Sequence, residues 1–225
     1  HLDIFAPRFN DCAQDIPPDA PEGVCPACAL GRGLGPGAAT RMDADEAAFR
    51  RYLARYYSAN DADSALAGLP LDTLLQNLGL GDGHELTLAG LMLFGRNPLR
   101  WRPAFTIKAV AFFGNSIADS HYQDSQDFSG TLSAQYTEAL AFIKRNLRRV
   151  QGNQGFNSPG ILEVPEVALQ ELLVNALVHR DYFTSASIRI LIFTDRIVIR
   201  WLDYLERVAS IYAKGRFTVR PVQAA

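Results

Sequence analysis

The stretch Pro165-Glu-Val-Ala-Leu-Gln-Glu171-Leu-Leu-Val-Asn175-Ala-Leu-Val-His179-Arg180-Asp181-Tyr182 decides how the rest of the chain is read. Pro165 suits the first position of a helix, where its fixed φ is helical and its missing N–H is not needed, and Glu166 in the first turn complements the helix dipole. From Val167 to Val178 the run is apolar almost all round, which predicts a helix buried on every side. Glu171, Asn175 and His179 interrupt it at i, i+4 and i+8. At about 100° per residue they fall within roughly 80° of one another, a polar stripe on one face. Buried carboxylate and amide groups are costly unless satisfied, so the stripe serves either an internal hydrogen-bond network or a ligand.

Working outward, Ser187-Ile-Arg-Ile-Leu-Ile-Phe193 and Arg196-Ile-Val-Ile-Arg200 flank a tight turn at Thr194-Asp195 and read as a β-hairpin. Upstream, Ile161 to Val164 suggests a short strand. Leu132, Tyr136, Leu140, Ile143, Leu147 and Val150 predict a long amphipathic helix closed by Gly152. Its last turns carry Lys144, Arg145, Arg148 and Arg149, cations that suit the helix dipole and solvent better than a phosphate patch. Residues 115–127 read as loop, and Phe105 to Phe113, between Pro103 and Gly114, as a strand. Helices and antiparallel strands in this order predict an α+β protein, a two-layer sandwich with helices on one face of a mixed, largely antiparallel sheet.

Residues 43–98 predict a small helical subdomain. Phe49, Tyr52, Leu53 and Tyr56 form one helical stripe, with Asp43 or Asp45 placed to cap it. Leu71, Leu74, Leu75 and Leu78 mark a second helix that stops at Gly79, and Thr87 to Gly95 holds a third. Arg50, Arg51 and Arg55 read as the solvated face of the first helix rather than as a DNA reader. Residues 1–42 are an irregular segment or linker, broken by Pro17-Pro18, Pro21, Pro26 and the glycine run Gly31 to Gly37, which lacks a P-loop ending. Cys25-Pro-Ala-Cys28 with Cys12 has the spacing of a zinc knuckle, but no fourth ligand declares itself, and free thiols in a loop are the leading expectation.

The 225 residues carry 22 basic and 24 acidic side chains, so no global field points to nucleic acid or an anionic membrane. No apolar run approaches the roughly 18 residues of a membrane span, no secretory signal is evident, and three cysteines do not make a disulfide framework, which together fit a cytoplasmic protein. The chain begins with His1 rather than Met and reads as a fragment or as a chain trimmed of a tag.

The string Glu171-x-x-x-Asn175-Ala-x-x-His179 resembles the N-box of the GHKL (Bergerat-fold) ATPases. Its longer form, Pro165 to Tyr182, and the run Leu86-Thr-Leu-Ala-Gly-Leu-Met-Leu-Phe-Gly-Arg-Asn-Pro98 are similar to one branch, the bacterial "RecG-like" transcriptional regulators associated with Schlafen/AlbA-type domains. The resemblance spans about residues 45–200. It implies a GHKL-like ATP-binding domain over 99–225, with Glu171 as the catalytic, water-activating base and Asn175 as the magnesium ligand. His179 and Arg180 would be nucleotide-binding and Tyr182 a packing residue. It further implies ATP and Mg2+ as cofactors, little or no hydrolysis, DNA bound through a domain outside these residues, and a homodimer.

The family follows its N-box with a glycine-containing adenine turn and a glycine-rich lid. Here Trp201-Leu-Asp-Tyr-Leu-Glu206 follows instead, with no glycine until Gly215. The domain is therefore expected to be incomplete near residue 201, with Arg216 to Arg220 as its last strand. The alternative expectation is a nucleotide-independent, DNA-associated or protein-interaction domain with a degenerate ATP site, and a third is a zinc-dependent module.

Overall fold

The computed structural model describes residues 39–57, 68–118, 121–150, 160–182, 184–201, 207–212 and 217–221. The chain divides into two compact units, His1–Trp101 and Arg102–Ala225. Cys12, Cys25, Cys28 and the glycine run lie outside the described residues.

The first unit is built on α1 (Glu46–Tyr57), α2 (Leu71–Asn77) and α3 (Leu88–Phe94). Asp45 caps α1 by accepting the Ala48 N–H at 2.9 Å, while Asp43 belongs to the preceding 3₁₀ turn, where it and Thr40 form a capping box. Phe49 and Leu53 are buried and Phe49 meets Phe94 edge-on at 4.8 Å; Tyr52, on the rim, meets the same ring at 5.4 Å. Gly79, at φ 66°, ends α2, and the Leu80 N–H reaches back to Leu75 O at 2.8 Å. The Thr87 hydroxyl caps α3 on the Gly90 N–H. Gly90 is required by proximity, because a Cβ there would lie 2.0 Å from Leu80 O.

The second unit is an α+β sandwich of two layers. Its sheet has six strands in the order β2-β1-β5-β6-β7-β8: β1 (Ile107–Phe112), β2 (Tyr122–Phe128), β5 (Ile188–Ile192), β6 (Arg196–Arg200), β7 (Arg207–Tyr212) and β8 (Phe217–Pro221). Only β1 and β5 pair in parallel; the other neighbours are antiparallel, which makes the sheet mixed and largely antiparallel. The crossover between β1 and β5 contains β2, α4 (Leu132–Asn146), the two-residue strands β3 (Arg149–Val150) and β4 (Ile161–Leu162), and α5 (Glu166–Val178). Alternation puts Ile107, Ala109, Ala111, Ile188, Ile190, Ile192, Ile197 and Ile199 on one sheet face, in a single core with Ala139, Phe142 and Ile143 of α4 and Leu169, Leu172, Leu173 and Ala176 of α5.

Three expectations change. Residues 122–128 are not loop but the edge strand β2, paired along β1. The long helix stops at Asn146, because Leu147 turns extended and Arg149–Val150 pairs with Ile161–Leu162. The tail beyond Trp201 adds β7 as well as β8, so the strand expected near Arg216 to Arg220 closes a meander.

Candidate functional site

The decisive helix, α5, is buried on one side only. Leu169, Leu172, Leu173, Ala176 and Leu177 enter the core, whereas Val167, Val174 and Val178 remain 71, 45 and 65% exposed. An apolar composition all round predicted a helix covered all round; three valines facing solvent overturn that. Glu171 and His179 are exposed and Asn175 is half-buried, so the polar stripe lies on the outward face among these valines. Neighbours one turn apart on such a face sit about 5–6 Å apart at Cβ. None of the three side chains has a hydrogen-bond partner among the described residues, while the His179 N–H closes the helix on Asn175 O at 2.9 Å. An internal network therefore does not account for the stripe, and its donors and acceptors face outward.

Arg180, the next residue, is placed differently. It is only 6% exposed, and its guanidinium donates to Ala104 O at 3.2 Å and to Ala186 O. It also lies 4.2 Å over the Phe105 ring and 5.5 Å over that of Tyr182. Burial pulls its pKa down to about 10, so it stays charged at neutral pH, and its Nε has no partner among the described residues. Arg180 thus ties the end of α5 to the strand entering β1 and to the segment before β5, away from the stripe. Tyr182 packs edge-on against Phe105 and donates its hydroxyl to Leu177 O at 2.6 Å; burial raises its pKa. Asp181 accepts from the Thr184 hydroxyl.

The cations at the end of α4 are mostly engaged. Lys144 bridges to Glu166 at 2.7 Å, and Arg145 to Asp124 at 3.0 Å while donating to Gln126. Arg148 stays exposed at a cleft of about 320 Å³ beyond the C-terminal ends of β1 and β5, lined also by Phe113, Asn146, Glu163 and Thr194. That cleft includes none of the stripe residues. Sequence reading also missed Gln135, fully buried, whose amide donates to Phe105 O at 2.8 Å and Gly130 O at 2.9 Å. A lone glutamine at an inward helical position was its only trace.

As a donor set, a half-buried amide oxygen with a carboxylate one turn away offers hard oxygen ligands, neither committed to another described group. That fits magnesium, which takes one or two protein oxygens and keeps its waters and substrate phosphates. No cluster of three His, Cys, Asp or Glu that could hold a metal by itself occurs among the described residues. No helix among them is long and apolar enough to cross a membrane.

The second unit is, by architecture, a two-layer α+β domain with an exposed polar stripe on one of the two helices among its described residues. No protein-family model and no curated protein matches the sequence. Among solved structures it is similar to the DIP2311 protein from Corynebacterium diphtheriae, at 25% identity and a TM-score of 0.51, over 72% of this chain and 31% of that one. The chain therefore spans about a third of that protein's length. The likeness is one of fold.

Proposed function

We propose that this protein is a magnesium-dependent ATP-binding regulatory module of a cytoplasmic bacterial transcriptional regulator, with slow hydrolysis or none. The observation that carries this reading is the outward stripe of α5: Glu171, Asn175 and His179 share one exposed face, free of described partners and set among exposed valines. Together with the resemblance of this stretch to the GHKL N-box, that supports a ligand rather than a structural network.

In this reading the Asn175 amide oxygen would hold the metal, Glu171 would orient a water and take its proton, and His179 would contact the phosphates. Bound magnesium supplies charge neutralisation on the phosphates; the chain supplies placement. Arg180 is left out of the nucleotide site, since it is buried over the Phe105 ring with one terminal nitrogen donating to Ala104 O and Ala186 O. DNA is contacted through a domain outside these residues, and the protein works as a homodimer.

That same withdrawal of Arg180, with the missing glycine-containing adenine turn, favours the second reading of a nucleotide-independent interaction domain. Titration calorimetry with ATP and magnesium separates the two. Micromolar or weaker binding, abolished by EDTA and by Asn175→Ala, is the expected result. An absence of adenine-nucleotide binding by the protein ends the ATP reading.

A further inference from the structure

The sheet face opposite α4 and α5 carries an unusual row. Register aligns Asp127, Lys108, Arg189 and Arg200 side by side across β2, β1, β5 and β6, and all are exposed. Lys108 is bridged to Asp127 at 3.0 Å. Arg189 and Arg200, directly opposite each other in an antiparallel pair, have no ion-pair or hydrogen-bond partner among the described residues. Like charges placed opposite one another destabilise a sheet, so the pair works against the fold that displays it. Two residues along each strand, about 6.5 Å away, runs a parallel row of half-buried apolar side chains: Val110, Leu191 and Val198.

We propose that this face docks an acidic amphipathic helix of a protein partner, with carboxylates on Arg189 and Arg200 and aliphatic side chains on Val110, Leu191 and Val198. Charge complementarity selects the acidic edge, and the neighbouring apolar row selects the amphipathic pattern. The spacing agrees: neighbouring strands lie about 4.8 Å apart, and helix positions i, i+4 and i+7 advance about 4.5–6 Å per step. A helix laid across the strands therefore presents one carboxylate per strand. Nucleic acid suits the face less well. The next row offers no free ring on Phe193, because Phe112 stacks on it at 5.0 Å and the Arg196 guanidinium lies 4.1 Å over it. Phosphates along the cationic row would also leave the valine–leucine row without an apolar partner.

Fluorescence anisotropy on the full chain tests this, using as probe a labelled synthetic helix of about five turns with a leucine stripe bordered by a glutamate stripe. Binding is expected, weakening with salt, with a loss of about tenfold or more in the double variant Arg189→Glu, Arg200→Glu. A scrambled peptide of the same composition should bind several-fold less tightly. Arg51→Glu, on an exposed site of α1, and Asn175→Ala should bind the probe as the wild type does, the latter separating this surface from the nucleotide reading. Thermal melts accompany each variant, and Arg200→Thr is expected to raise Tm by removing the facing charge. Absence of peptide binding, or an equal loss in Arg51→Glu, overturns the proposal. So does a single-stranded or duplex DNA probe that binds more tightly than the peptide and is the one lost in the Arg189, Arg200 double variant.

Discussion

Helices α4 and α5 lie on the same sheet face and share one core, yet, Glu166 apart, they treat several of their polar side chains differently. On α4, Gln135, Lys144, Arg145 and Asn146 each have a named partner: backbone carbonyls, Glu166, or Asp124. On α5, Glu171 and Asn175 have none among the described residues, nor has His179 at its end, and exposed valines stand around them. Exposed valines add no folding energy, since apolar surface stabilises only when removed from water. A polar group with a fixed partner holds structure; an unpartnered one on a half-apolar outward face is available to something else. The two helices thus differ in how far their polar side chains are tied down, and recognition on α5 is the role that the proposed function gives to that difference.

The largest expected effect lies just past the end of α5, where the chain reverts to supporting chemistry. Arg180→Ala removes a buried side chain packed on Phe105 and Tyr182 and leaves Ala104 O and Ala186 O without that donor. A loss of about 3–4 kcal/mol in denaturant unfolding is expected. Arg180→Lys should recover little, because an ammonium cannot span two carbonyls and lie over a ring. Next comes Gln135→Ala on α4, which strips one amide from two carbonyls and should cost about 2–3 kcal/mol. The matching test on α5 is the triple variant Glu171→Ala, Asn175→Ala, His179→Ala. Its unfolding free energy should stay within about 0.5 kcal/mol of wild type, helped by alanine's helix propensity, while magnesium–nucleotide binding disappears. A triple variant as unstable as Gln135→Ala would break the division between the helices.

What could be read in advance follows the same physics. The strands β1, β5 and β6 announced themselves by runs of β-branched and aromatic residues bounded by turn residues, and the structure buries one face of each against the helices: Ile188, Ile190 and Ile192 inward, Arg189 and Leu191 outward. Edge strand β2, Tyr-Gln-Asp-Ser-Gln-Asp-Phe, buries only Phe128 and carries no apolar period, so its pairing with β1 left no mark that composition could reveal. The stripe residues were legible as positions on one face of α5. Their exposure was not, since an outward valine and an inward one are the same letter, and only the neighbouring elements decide which is covered. The burial of Arg180 was not legible for a related reason. A cation after a polar stripe reads as part of it, and its partners are backbone carbonyls of Ala104 and Ala186, which no side-chain pattern advertises.

The smallest effect sharpens the supporting side of the comparison. Asp124 on β2 accepts from the Asn146 amide and the Arg145 guanidinium at the end of α4, each at 3.0 Å, and these hold its carboxyl below the usual carboxylate range. A carboxyl whose pKa is lower in the folded than in the unfolded chain stabilises above the unfolded value, about 3.9, and that contribution is lost as pH falls through the folded value. Wild type should therefore lose stability below about pH 4 more steeply than Asp124→Asn, whose amide does not titrate, while the two differ only slightly in Tm at neutral pH because the site is largely solvated. Equal acid slopes in the two proteins would mean that the α4 contacts with β2 are bystanders, and that α4 earns its place in the layer through Phe142, Ile143 and Gln135 alone.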